Sequence, residues 1–360
     1  MKLYYYFLLG LIFFVGCENK ETKRDTISFT EEDLPDVITL KGYKYAFPQL
    51  LNPKGILVSD GKAIIFERKN VHDDKLHIID LATMTYLQTK GKDGMGPGEV
   101  ATITQVEALS DPNRFRAYDL ELRLFSTFNL ADTTRLAESQ FKAPETAFYI
   151  TNPALTSDTS LLANTVDGWT KYLQLTISGD TLAMFGDWRD MIKGKKLPNG
   201  YKEEELDANL VSNVFQGPLK SSKNKRFAIK AGVKVDYIDI IDIEALSIKT
   251  IYGPLPGVPE FTISYWGGYQ MPDMGSSSTS RYIDVFPGKQ SFFTLFLGKN
   301  SREISDMNNP NRIFEFDYEG NLLSHFQLDY PLLGFSVDEE NKVIYGVTVD
   351  REPNLVRFEY

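Results

Sequence analysis

One unit recurs along this chain and limits its fold more than any other feature. An alternating strand ends in Asp, a short turn follows, and a second strand closes the unit. His77-Ile78-Ile79-Asp80 leads to Met84-Thr85-Tyr86-Leu87, and Arg116-Ala117-Tyr118-Asp119 leads to Leu124-Phe125-Ser126-Thr127-Phe128. Asp239-Ile240-Ile241-Asp242 leads to Ile248-Lys249-Thr250-Ile251, and Phe314-Glu315-Phe316-Asp317 leads to Leu322-Leu323-Ser324-His325-Phe326. A weaker copy starts at Tyr172, turns at Ser178-Gly179-Asp180 and returns through Thr181-Leu182-Ala183-Met184-Phe185. Alternation with period two and the turn chemistry make each copy a β-hairpin. An Asp at a strand end can bond the turn backbone. Asp80, Asp119, Asp242 and Asp317 therefore read as turn-fixing residues, not as carboxylates gathered at one site.

A further strand pair precedes these hairpins. It is seen at Gly55-Ile56-Leu57-Val58 with Ala63-Ile64-Ile65-Phe66, around Leu219 with Phe227-Ala228-Ile229, and around Phe335 with Val343-Ile344-Tyr345. Four short strands per unit make a propeller blade. Two stretches, 189–212 and 255–281, look like insertions. Without them, 34–360 leaves about 46 residues for each of six units, within the roughly 40–50 of a blade. The expected fold is therefore all-β, a six-bladed β-propeller of four-stranded blades over 34–360. The sixth unit stops at Leu355-Val356-Arg357-Phe358-Glu359-Tyr360, one strand short. Asp36-Val37-Ile38-Thr39-Leu40 is a spare strand before the first blade. The expectation is that 37–40 pairs with 355–358, completing the last blade and sealing an exposed edge.

The first residues are of another kind. Lys2 precedes an apolar run from Leu3 to Val15, too short to span a bilayer as a helix of about 20 residues. Phe14-Val15-Gly16-Cys17 follows and resembles the lipobox of bacterial lipoproteins, although Phe14 stands where Leu is usual. The resemblance implies cleavage before Cys17, acylation of its thiol, and an anchor in a bilayer by several acyl chains. Residues 1–17 thus read as a lipoprotein signal peptide and 18–33, polar and unpatterned, as a flexible tether. The expected location is the bacterial cell envelope, lipid-anchored, at the outer membrane.

The stretch Gly91-Lys92-Asp93-Gly94-Met95-Gly96-Pro97-Gly98-Glu99 is similar to a Gly-x-Gly-Pro-Gly-Glu element of the TolB-like six-bladed propeller lipoproteins, between their first two blades. Val214-Phe215-Gln216-Gly217-Pro218-Leu219 also fits that family. The resemblance spans nearly the whole chain after the leader and implies the fold. It implies no activity, because propellers host many functions.

Composition narrows the chemistry. Cys17 is the only cysteine, so no intramolecular disulfide and no cysteine metal site is expected. The formal charge of −10 leaves no basic excess to displace the counterions of a nucleic acid. The glycine run at 91–98 lacks the Gly-Lys-Ser/Thr ending of a P-loop and reads as a blade linker. The three histidines, His72, His77 and His325, fall in a turn, a third strand and an outer strand, and are not expected to converge on a metal. There is no Gly-x-Ser-x-Gly elbow and no EF-hand loop. No cofactor, metal or catalytic set is expected.

The insertions carry the remaining signal. In the first, Leu206, Leu210 and Val214 fall at helical spacing. The second holds Tyr265, Trp266, Tyr269, Met271, Met274 and Arg281 among Gly, Pro and Ser. Aromatics on turn-rich loops supply contact area for proteins or sugar rings, or they fold back onto the propeller. Trp169 and Trp188 read as core or rim packing. The leading functional expectation is a non-catalytic binding module that recognises an envelope protein or glycan through these loops. A TolB-like assembly scaffold is second, and a metal-dependent propeller lactonase or lyase third. A propeller with sealed edges is expected to be monomeric.

Overall fold

The computed structural model describes residues 26–143, 150, 152–166, 168–255, 257–275 and 277–360; the leader, Cys17 and the first part of the tether lie outside the described residues. Six antiparallel sheets are arranged as blades, innermost strand first. Blade one is Pro53–Ser59, Lys62–Glu67, Leu76–Asp80 and Thr85–Lys90; blade two is Ile103–Ala108, Arg114–Asp119, Leu124–Asn129 and Ser139–Lys142. Blade three is Pro153–Ser157, Ser160–Asn164, Thr170–Thr176 and Thr181–Asp187; blade four is Leu219–Ser221, Phe227–Ala231, Tyr237–Asp242 and Ser247–Tyr252. Blade five is Thr279–Pro287, Ser291–Asn300, Arg312–Asp317 and Leu322–Gln327; blade six is Leu332–Asp338, Val343–Thr348 and Leu355–Glu359.

The core is divided as a ring requires. One apolar cluster lies between each neighbouring pair of blades. Ile64 and Ile78 of blade one meet Ile103 and Phe115 of blade two. Val343 and Leu355 of blade six meet Ile56 and Ile79 of blade one, closing the circle. The middle strands are covered on both faces, which is why Ala63-Ile64-Ile65-Phe66 is a continuous apolar run. Each fully buried Ile or Phe contributes about 1.5–3 kcal/mol.

The repeated Asp acts as the sequence suggests. The Asp80 carboxylate accepts from the Thr83 N–H at 2.8 Å, Asp119 from Leu122 at 2.9 Å, Asp242 from Ala245 at 2.9 Å and Asp317 from Asn321 at 2.8 Å. The turns of blades one, two and four then pass through left-handed residues, Met84, Arg123 and Leu246, with φ of 51°, 52° and 52°. Glu99, in the linker to blade two, accepts from the Gly96 N–H at 2.8 Å and from Lys92 Nζ at 2.6 Å. Two inner-strand carboxylates cross-link the ring. Glu107 accepts from the Leu155 N–H of blade three and from Ser221 Oγ of blade four, and Asp284 of blade five from the Phe335 N–H of blade six.

Closure by an N-terminal strand is observed, but the strand is not the expected one. Gly42–Lys44 pairs antiparallel with the last strand, in the register Val356↔Lys44, Arg357↔Tyr43 and Phe358↔Gly42. Val37–Thr39 instead lies parallel to the outermost strand of blade five, with Ile38 opposite Phe326. An antiparallel latch on Leu355–Glu359 must run back toward the first blade, and the segment nearer Pro53 supplies it. The tether expectation also fails beyond residue 25. Thr26–Ser28 runs parallel to the outermost strand of blade four, and Phe29 is buried edge-on to Phe314 and Phe316. Arg312 donates two bonds to the Glu31 carboxylate, each 2.9 Å, which holds that carboxyl below its usual range. The outer edges of blades four and five are thus covered by the chain's own leading segment, as edge protection requires.

Candidate binding face

In each four-stranded blade the start of the innermost strand, the end of the second, the start of the third and the end of the outermost share one face of the ring. Both inserts leave from outermost strands, after Asp187 and Tyr252, and re-enter at innermost strands, at Leu219 and Thr279. They therefore stand on the same face. Beneath them lies a seventh apolar cluster, including Trp188, Met191, Leu206, Leu210, Val214, Tyr237 and Phe261. The helix expected in the first insert is present as Ala208–Val214, capped by Asp207, which accepts from the Leu210 N–H at 2.7 Å. Trp188 is buried and donates its indole N–H to the Thr165 carbonyl at 3.1 Å. Trp169 is half-buried under the Arg189 guanidinium.

The second insert forms a hairpin, Thr262–Trp266 with Tyr269–Asp273, turning at Gly267-Gly268 with φ of 59° and 89°. Two successive positive φ values are the signature of a tight hairpin turn that glycine makes at little cost. The hairpin is clamped to the first insert through Gln270. Its side-chain oxygen accepts from the Asp207 N–H at 3.0 Å, its own N–H donates to Asp207 Oδ2 at 3.1 Å, and Asn209 Nδ2 donates to its carbonyl at 2.8 Å. Asn199 Nδ2 reaches the Phe261 carbonyl at 2.7 Å, and Tyr201 stacks on Phe261.

The six residues singled out in this insert separate. Tyr265, Trp266 and Tyr269 stand at the tip with 70 %, 79 % and 52 % of their surface exposed. Their aromatics do not fold back onto the propeller. Met271 is half-buried with its sulfur 3.2 Å from Asn209 Nδ2, and Met274 packs against the insert core. Arg281 is not in the loop. It belongs to the innermost strand of blade five, where burial lowers its pKa and Asp236 opposes that effect. The alternation of a 9-residue strand that begins within a Ser-rich stretch is not visible in the sequence, so the insert expected from the sequence extends to this residue.

The mouth of the central channel opens on the same face. Here the innermost strands leave a cavity of about 420 Å³. Lys54 is the second residue of the innermost strand of blade one and Arg68 follows its second strand. Lys220 of blade four pairs with Asp284 of blade five at 2.6 Å. Phe66, Ile283, Ile304 and Leu333 supply the apolar wall. Burial, and then the neighbouring Arg68, lower the pKa of Lys54. Sequence reasoning missed this site, because single basic residues at strand ends carry no signal until the ring brings them together.

A second set of basic groups is sealed below the inserts. Lys171 pairs with Asp239 at 2.5 Å, and Tyr172 Oη donates to the same carboxylate. Lys230 is fully buried and its pKa is pulled down to about 7, first by burial and then by Lys171. Lys195 lies over the Tyr252 ring, and burial pulls it down to about 8. Lys171, Lys230 and Asp239 are internal and Lys195 is half-buried at their edge; the set reads as framework. The histidines sit on blades one and five, and among the described residues no three His, Cys, Asp or Glu side chains converge as a metal-ligand set.

A closed six-bladed β-propeller with an insert-bearing face is the class that this geometry defines. The sequence profile of the TolB-like 6-blade propeller-like family matches residues 28–340, and the chain belongs to that family. Among solved structures, the chain is similar to a protein of Bacteroides fragilis described as exported, at 13% identity and TM-score 0.53, covering 92% of this chain and 98% of that one. It is also similar to the WD40 repeats of RRP9, at 10% identity and TM-score 0.50, covering 88% and 96%. At these identities the likeness concerns the fold alone. No curated protein matches the sequence.

Proposed function

We propose that this protein is a non-catalytic binding propeller of the bacterial cell envelope, and that its insert-bearing face recognises an envelope protein or glycan. The observation that carries this reading is the hairpin tip. Tyr265, Trp266 and Tyr269 are exposed on a base that Gln270, Asp207 and Asn209 hold rigid. Large aromatics held in place pay little ordering entropy on binding, and Trp and Tyr are the side chains that dominate interface energetics. Partner chemistry falls to polypeptide or sugar, since the acidic chain offers no footing to nucleic acid. The lipobox-like Phe14-Val15-Gly16-Cys17 supports an anchor at Cys17, proposed at the outer membrane, and the exported description of the similar Bacteroides protein is in keeping with an envelope location. The assembly-scaffold reading draws on the family alone.

The test compares wild type with Trp266→Ala/Tyr269→Ala in a glycan array and in cross-linking on whole cells. Loss of a glycan signal, or of a single cross-linked protein, with an unchanged melting temperature supports the reading. A double variant that captures the same partners as wild type sinks it. Incorporation of labelled palmitate that survives Cys17→Ser would remove the anchor from the proposal.

A further inference from the structure

We propose that the channel mouth is a binding site for a small organic carboxylate, its head held by Lys54 and Arg68 and its apolar body resting on Phe66, Ile304 and Leu333. The argument begins with charge. Lys54 and Arg68 are both half-buried, and neither side chain has a carboxylate partner among the described residues. Arg68 Nε is buried without any hydrogen-bond partner. The nearby acid is committed elsewhere. Asp284 already takes Lys220 at 2.6 Å, the Phe335 N–H at 3.0 Å and the Val285 N–H at 2.9 Å. The Glu67 carboxylate beside Arg68 in sequence accepts from the Leu51 and Asn52 N–H groups at 2.8 and 2.7 Å. Two positive charges thus face one cavity uncompensated.

Like charges brought together away from water cost stability unless an anion joins them. A guanidinium next to an ammonium suits a carboxylate, because the planar fork meets both oxygens. A cavity of about 420 Å³ with an apolar wall exceeds what a simple inorganic ion needs and is of the size that holds a small ligand. The site is distinct from the aromatic tip, so it stands or falls separately from the face reading above.

The experiment is calorimetric titration of the intact protein with phenylacetate and hexanoate, against the neutral amides of the same acids and against inorganic phosphate. Wild type is expected to bind an acid at least about tenfold tighter than its amide, and Arg68→Met or Lys54→Met to lose at least that factor. The same two variants are expected to melt at higher temperature than ligand-free wild type, since each removes an uncompensated charge. A merely structural Arg68 would move the melting temperature down. Trp266→Ala is expected to leave carboxylate binding unchanged. The proposal is overturned if acid and amide bind alike, if phosphate alone binds, if no carboxylate binds at millimolar concentration, or if the charge variants lose stability and keep affinity.

Discussion

Gly42 lies directly opposite Phe358, and a Cβ added to Gly42 would stand 2.7 Å from the Phe358 ring and 2.7 Å from Val356 Cγ2. This contact joins the start of the chain to its end and closes the ring. Gly42→Val would force overlap with two fully buried side chains, and overpacking of this kind costs about 1–3 kcal/mol. Denaturant unfolding should show a lowered midpoint. Deleting residues up to Lys41 should leave the latch pairing in place and keep a cooperative transition, whereas deleting through Lys44 should abolish it. A cooperative fold without Gly42–Lys44 would contradict the closure assigned here.

Breaking the buried ion pair beneath the inserts should be costly. Asp239 gathers Lys171, the Tyr172 hydroxyl and Thr250 Oγ1 at 2.5, 2.5 and 2.8 Å. Asp239→Ala leaves Lys171 without its carboxylate in a dry site, a loss of about 3–5 kcal/mol. The double variant Lys171→Met/Asp239→Leu should recover much of it, because neither charge is then buried. Urea midpoints of the three proteins decide the point.

Stability should rise with pH between neutrality and about pH 10. Lys230 titrates at about 7 in the folded protein, against 10.5 when unfolded. Between those values the unfolded chain holds a proton that the folded chain does not, so the unfolding free energy climbs, by at most about 1.4 kcal/mol per pH unit for one proton. Lys195, at about 8, acts in the same direction. The groups facing Lys230 are Lys171, Asp239 and the Tyr237 ring. Above the ordinary tyrosine range the trend should reverse, because burial raises Tyr172, Tyr237 and Tyr282 well above 10. Melting temperatures from pH 7 to pH 10 should rise in wild type and rise less steeply in Lys230→Met, where Lys195 alone still contributes. An equal slope in both would rule out Lys230 as the source.

The turn of blade four should tolerate glycine better than leucine. Leu246 sits at φ 52° with 38 % of its surface exposed. Left-handed backbone costs a residue with a Cβ about 1–2 kcal/mol, and glycine's greater freedom when unfolded returns about 0.5–1 kcal/mol of that. Leu246→Gly should therefore be neutral or stabilising by up to about 1 kcal/mol. A clear fall in the urea midpoint would show that Leu246 packs more than it strains.

Much of the architecture was legible without coordinates. Strand alternation, the repeated Asp turn and the short final unit are local signals, and local hydrogen bonds and packing faces produce them. The glycine run at 91–98 joins blades one and two as expected, and the insert helix forms where Leu210 and Val214 share a face. The docked segment from Thr26 was hidden because a 3-residue strand shows too little alternation to register.

What the sequence by itself determined is the blade: its four strands, its turns and its apolar middle. Those depend on neighbours within about a dozen residues. The tertiary structure alone decided which leading strand closes the ring, which aromatics of the second insert reach solvent, and that Lys54 and Arg68 share one cavity. Each of these depends on groups far apart in the chain, Gly42 with Phe358 or Gln270 with Asp207. Closure of the ring sets those distances, and no local pattern encodes them.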